Sequence, residues 1–232
     1  MNKIDNIREI YRDRKSTSYM HVERISAKEQ LGSADSSVTL IHDKSEDILY
    51  VIYDWAPESI DDVHDDSFCG FNKQLRTEHE SLTLAAGAAI AEYVADYQLR
   101  NNVNLNVVYT GFGWGGALAV MQAFIVPPSY LVTFGQPPVG NHFCSEYLDT
   151  KVQSKKSGRF VYDRYTYLKD PLAKNRCIEG YEHIEGNHLY INRDFEKVAN
   201  PSWFYRLKDG FMWGGKQAYA KLTYDFLMRT VT

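Results

Sequence analysis

Two short apolar runs, Val38–Ile41 and Ile48–Tyr53, flank the polar stretch 42–47 (HDKSED). Short apolar runs separated by a polar turn predict a strand hairpin. The alanine- and leucine-rich segment from Glu78 to Leu99 predicts a long helix, and Asn101 and Asn102 predict its end. Leu105–Thr110 reads as a buried strand that enters the glycine cluster 111–116 (GFGWGG), and Ala117–Phe124 reads as a helix leaving it. Further strands are predicted at Tyr130–Phe134, Phe160–Leu168 and Leu189–Ile191. A last helix spans Lys216–Met228, where Tyr219, Leu222, Phe226 and Leu227 form one apolar stripe. At the other end, Ile4, Ile7, Ile10 and Tyr11 share a helical face, so residues 1–35 are predicted to be a helical extension stopped near Gly32. Strands alternating with helices predict an α/β fold: a mostly parallel central sheet with helices on both faces, a three-layer sandwich. With 232 residues, no internal repeat and no proline-rich linker, the expectation is a single domain over 1–232.

Composition narrows the function classes. Hydrophobic residues make up 44% of the chain and charged residues 24%, as in an ordinary globular protein. The 17 tyrosines read as amphipathic packing residues. A formal net charge of −4 gives no attraction to nucleic acid, and the cluster Lys151, Lys155, Lys156 and Arg159 reads as a solvated loop. Three cysteines are too few for a disulfide framework. No apolar stretch approaches the ~20 residues of a membrane span. The charged N-terminus has no apolar core like that of a secretory signal, so the expected location is intracellular, cytoplasmic or virion-associated. The acidic run Asp61–Asp66 lacks the spacing of a calcium loop and reads as solvated, so no metal and no cofactor are expected.

The most informative stretch is Val107–Ala119, in which a strand enters a glycine-rich turn and an apolar helix leaves it. That is the context of the nucleophile elbow, G-x-S-x-G, whose outer glycines let strand and helix backbones approach. Gly111 and Gly115 stand at the outer positions, and Gly113 stands where an acyl-transfer enzyme carries its serine.

With two further motifs in order, the chain resembles the class 3 (fungal-type) lipases. Residues 133–141 (TFGQPPVGN) match the family's T-F-G-x-P-x-V-G-N, and 164–172 (RYTYLKDPL) resemble the segment that supplies its triad aspartate. Residues 180–186 (GYEHIEG) are similar to Y-x-H-x-G with one residue inserted, and 68–71 (FCGF) to the motif that opens the long helix. The resemblance covers about 38–227 and implies an α/β-hydrolase fold. It aligns Asp170 with the catalytic acid, though a loop-capping role is the favoured reading of that residue. His183 falls on a position that is structural in the family, with a base role as the other reading; His188 and His142 stand behind it. The oxyanion region maps to Ala56 and Trp114. The family's R-G-T is here Asp54-Trp55-Ala56, which takes away a preorganised donor. Its late histidine is missing too, since no histidine follows His188. Cys69, Cys144 and Cys177 lie outside the elbow and do not replace the serine.

A triad needs nucleophile, base and acid within hydrogen-bond reach. Losing the serine, the late histidine and the R-G-T together reads as natural loss. The expected function is therefore a catalytically inactive lipase-like binding, scaffold or structural module. The resemblance offers the plant lipase-like immune signalling proteins as precedent. Two alternatives stand beside it: an ester hydrolase with a rearranged site around Asp170 and His183, and an inactivated copy of an active lipase. Expected partners are another protein or self-association, with a lipid or ester ligand compatible with the fold. Abundant Tyr, Asn, Lys, Ile and Asp suit an AT-rich genome such as that of a large virus or protist.

Overall fold

A computed structural model describes residues 7, 19–26, 36–54, 73–150, 152, 160–167, 181–191 and 197–198. Among these, eight strands form one sheet in chain order: β1 (Tyr19–Ser26), β2 (Ser37–Asp43), β3 (Ile48–Asp54), β4 (Asn106–Phe112), β5 (Tyr130–Phe134), β6 (Val161–Tyr167), β7 (Asn187–Ile191) and β8 (Lys197–Val198). The central pairings from β3 to β7 are parallel, while β1–β2, β2–β3 and β7–β8 are antiparallel. Three helices are described: α1 (Lys73–Asn101), α2 (Trp114–Ile125) and α3 (His142–Asp149). The architecture is that of an α/β-hydrolase-type fold.

The anticipated hairpin is β2–β3. Asp43 closes its turn by accepting from the Ser45 amide at 2.9 Å and from the Ser45 hydroxyl at 2.6 Å, while Asp47 takes a left-handed φ of 51°. Side chains alternate between the faces of the sheet, as a period of two requires. Leu49, Val51, Tyr53, Tyr109 and Leu131 join one core with the helices, and Tyr50, Ile52, Val108 and Val132 join a second on the opposite face. Helix α1 sets Leu82, Ala86 and Ile90 into the first core at four-residue spacing, which puts them on one stripe. It ends at the predicted asparagines. Asn102 adopts φ 55° and donates its amide to Gln98 O at 2.8 Å, a left-handed helix stop.

Two expectations need correction. Residues 1–35 are not a continuous helical extension: Ile7 is helical, but Tyr19–Ser26 is an edge strand paired antiparallel to β2. An outer row of backbone groups on β2 offered hydrogen bonds that single-chain periodicity cannot register. Helix α3 was not anticipated. Its eight residues are too short for a periodic signal, and its start is fixed by Asn141, whose side chain accepts from the Cys144 amide at 3.2 Å. The expected helix at Lys216–Met228, like Gly32, Ala56, Asp61–Asp66, Asp170 and the motif at 68–71, lies outside the described residues.

Candidate active site

Strand β4 is the fourth of eight, and its carboxyl end turns directly into α2 through Gly113. Gly113 caps α2 with φ 50° and ψ −119°. Those angles are strained for a residue with a Cβ and free for glycine. Its amide donates to Phe134 O at 2.8 Å, and its carbonyl accepts from Ala117 at 3.2 Å, so the turn is tied to both β5 and α2. A Cβ on Gly111 would stand 2.4 Å from the Gly115 carbonyl, closer than atoms can approach. On Gly116 a Cβ would stand 3.0 Å from Gln136 Cβ and 3.3 Å from Thr133 Cβ. The elbow backbone is therefore intact around a tip that carries no nucleophile. Trp114, the first residue of α2, is buried.

Behind the elbow lies a buried polar knot. The Thr133 hydroxyl donates to Gln136 Oε1 at 3.1 Å and lies 3.1 Å from the Tyr162 hydroxyl, which itself donates to Gln136 Oε1. Gln136 Nε2 donates to Pro137 O at 2.8 Å. Burial pushes the Tyr162 phenol up, so the hydroxyl keeps its proton and acts as a donor. Thr133 and Gln136 came from the T-F-G-Q-P motif; Tyr162 had no signal in the sequence, because its partners arrive from another strand. On the opposite face Phe112 stacks on Phe134 and Phe134 on Tyr165, with ring centroids 4.7 and 5.4 Å apart. That aromatic row aligns the carboxyl ends of β4, β5 and β6.

The row at the base of the elbow continues through Thr133 and Arg164 to His188. An Arg164 Nη2 donates to His188 Nδ1 at 2.9 Å, and His188 Nε2 lies 2.9 Å from Thr166 Oγ1. A guanidinium only donates, so Nδ1 accepts; the neutral ring then carries its proton on Nε2 and gives it to Thr166. Both ring nitrogens are engaged, which suits a structural histidine better than a base. Burial lowers the Arg164 pKa, with partial compensation from Tyr162 and Tyr190.

His183 lies in the connection that enters β7 at its amino end, whereas the strand register sets the elbow at the level of Leu189. This connection runs beside α3: Glu182 bridges Gly140 and accepts from Ser145 Oγ at 3.1 Å, and the Glu185 amide donates to Asp149 at 2.5 Å. His142 pairs with Glu182 at 3.3 Å on the surface. Gly186 is required there, since a Cβ would meet the Tyr162 ring at 2.5 Å. Asp170, the aligned acid, follows the last residue of β6 by three positions and, with Ala56, is outside the described residues. Asp54 ends β3 half-buried, and alternation with Tyr53 turns it to the face away from α2. Cys144 is a buried thiol on α3, packed in the core. Among the described residues no cluster of His, Cys, Asp or Glu has the make-up of a metal site, and no helix is long and apolar enough to cross a membrane.

The fold is similar to lipase II from Rhizopus niveus, with a TM-score of 0.62 at 15% identity over 77% of this chain and 69% of that one. A lipase from Rhizopus microsporus var. chinensis gives 0.60 at 16% identity, over 77% and 63% of the two chains. The Lip2 lipase from Yarrowia lipolytica gives 0.59 at 15% identity, over 82% and 80%. The chain thus spans about two thirds of the length of the two Rhizopus enzymes. No curated protein matches the sequence. The model of the class 3 lipases matches residues 57–174, from before α1 to beyond β6, and the chain belongs to that family.

Proposed function

We propose that this chain is a class 3 lipase-type domain that does not hydrolyse esters and serves as a binding or scaffold module. The observation that carries the reading is Gly113: the elbow turn has a φ of 50° and ties to β5 and α2, yet its tip offers no side-chain hydroxyl. An active enzyme holds a strained residue there because the strain exposes its nucleophile. Glycine removes both the strain and the chemistry. The engagement of both His188 nitrogens supports the same reading, since it withdraws one of the last histidines of the chain from base duty. The whole chain, 1–232, is read as one domain built around this sheet, with another protein, a second copy or a lipid-like ester as the bound species.

The test is labelling with a serine-reactive fluorophosphonate probe together with turnover of p-nitrophenyl esters, triacylglycerols and phospholipids. The native chain is expected to remain unlabelled and to match a heat-killed control. Gly113→Ser is expected to stay inactive and to lose about 1–3 kcal/mol of stability, because serine brings a Cβ to a backbone that glycine adopts freely. Rapid ester turnover by Gly113→Ser would show that the rest of the machinery is intact and end the proposal. Turnover by the native chain that vanishes in Asp170→Asn or His183→Ala would establish a rearranged hydrolytic site instead.

A further inference from the structure

At the other end of the sheet from the elbow, a titratable side chain is sealed between β2 and α1. His42 is fully buried. Its Nδ1 lies 2.9 Å from the Tyr93 hydroxyl, and its ring meets Tyr97 edge-on at 4.7 Å and Tyr93 at 5.8 Å. Tyr93 and Tyr97 stack on each other one turn apart on α1, and the Tyr97 hydroxyl donates to Asp47 at 2.7 Å. Three rings and one carboxylate thus pin the last turns of the 29-residue helix to the hairpin. His42 Nε2 is buried with no hydrogen-bond partner.

We propose that His42 is an acid-sensitive clamp: neutral, it holds the C-terminal part of α1 against β2 through Tyr93 and Tyr97, and protonated, it releases that part. The argument is one of solvation. A neutral imidazole leaves one polar atom unsatisfied, whereas an imidazolium leaves a buried N–H and a net charge. The carboxylates within electrostatic range are committed elsewhere. Asp43 accepts both groups of Ser45, and Asp47 accepts from Tyr97. Lys44, also in the hairpin, opposes the charge. From α1 the facing groups are the two phenols, with Asp96 acting on Tyr93. From the neighbouring strands the residues in register with His42 are Met20 on β1 and Leu49 on β3. The Tyr93 hydroxyl can accept from Nδ1–H, but to bring Nε2–H to an acceptor the charged ring must leave its edge-on contact with Tyr97. Burial holds the His42 pKa below the usual histidine value, and Asp47 offsets that only in part. The folded state therefore resists the proton. Stability from this clamp is complete above the ordinary histidine pKa of about 6.5 and is lost as the pH falls below it, because the loosened form binds the proton more readily.

The experiment is NMR on the full chain between pH 7.5 and 5.0. It follows the His42 imidazole and the exchange of the amides at 93–101, corrected for the intrinsic pH dependence of exchange. The imidazole is expected to titrate below its usual value, with protection at 93–101 lost several-fold in step. His42→Phe keeps a ring and is expected to show no such pH dependence. Equal acid sensitivity in His42→Phe would overturn the proposal. So would an imidazole that titrates at or above the usual value, or one that titrates while 93–101 stays protected. If His42→Phe does not fold, Tyr93→Phe with the native titration decides. Losing the Tyr93 hydroxyl should lower protection at 93–101 at neutral pH and narrow its change with pH; an unchanged profile would also overturn the proposal.

Discussion

Two polar regions share the face of the sheet that α1 and α2 cover and are built on different terms. Around the elbow, Thr133, Gln136 and Tyr162 are buried and bonded to one another. Beneath α1 and α2, the hydroxyls of Tyr53 and Tyr109 and both amide atoms of Gln122 are buried with no hydrogen-bond partner. The first region is held by backbone geometry that admits little change: glycines where strand meets helix, and side chains that fit one arrangement. The second is a packing solution, in which large phenols fill space and their polar tips are tolerated. Tyr53 and Tyr109 meet edge to face at 5.8 Å, and burial pushes both phenols well above their ordinary pKa. The elbow thus keeps a tightly constrained backbone around a glycine, whereas the second region tolerates polar atoms that its packing leaves unsatisfied.

The contrast can be broken most severely at Gly111. Gly111→Ala sets a methyl 2.4 Å from the Gly115 carbonyl, so strand and helix must part. A loss of about 3 kcal/mol or more is expected in urea unfolding. A loss below about 1 kcal/mol would mean that the elbow is looser than its geometry implies. Next in size is Tyr162→Phe, which takes one member from the satisfied knot and leaves Gln136 Oε1 short of a donor. About 1–3 kcal/mol should be lost, read as a lower urea midpoint at unchanged slope. The smallest effect, and one of opposite sign, belongs to Tyr109→Phe. Removing a buried hydroxyl that bonds to nothing should leave stability unchanged or raise it by up to about 1 kcal/mol. If Tyr109→Phe costs as much as Tyr162→Phe, the two regions are satisfied alike and the comparison falls.

The elbow was legible in the residues because its constraint is local: GFGWGG between an apolar strand and an apolar helix permits few backbones, and the chain adopts the expected one. The hairpin and the asparagine stop of α1 were legible for the same reason. The base of the site was not. Tyr162 joins Thr133 and Gln136 across strand pairing, and Arg164 meets His188 across 24 positions of chain. Neither pair leaves a trace in spacing.

What the sequence by itself determined is the class of fold and the glycine at the turn from β4 into α2, because both rest on short-range pattern and on one residue's identity. Tertiary structure alone decided that Tyr19–Ser26 adds a strand to the edge of the sheet, that His188 spends both nitrogens on Arg164 and Thr166, and that His42 lies sealed beneath Tyr93 and Tyr97. Hydrogen-bond satisfaction and burial are properties of neighbours brought together by the sheet, and a single chain read in order does not contain them.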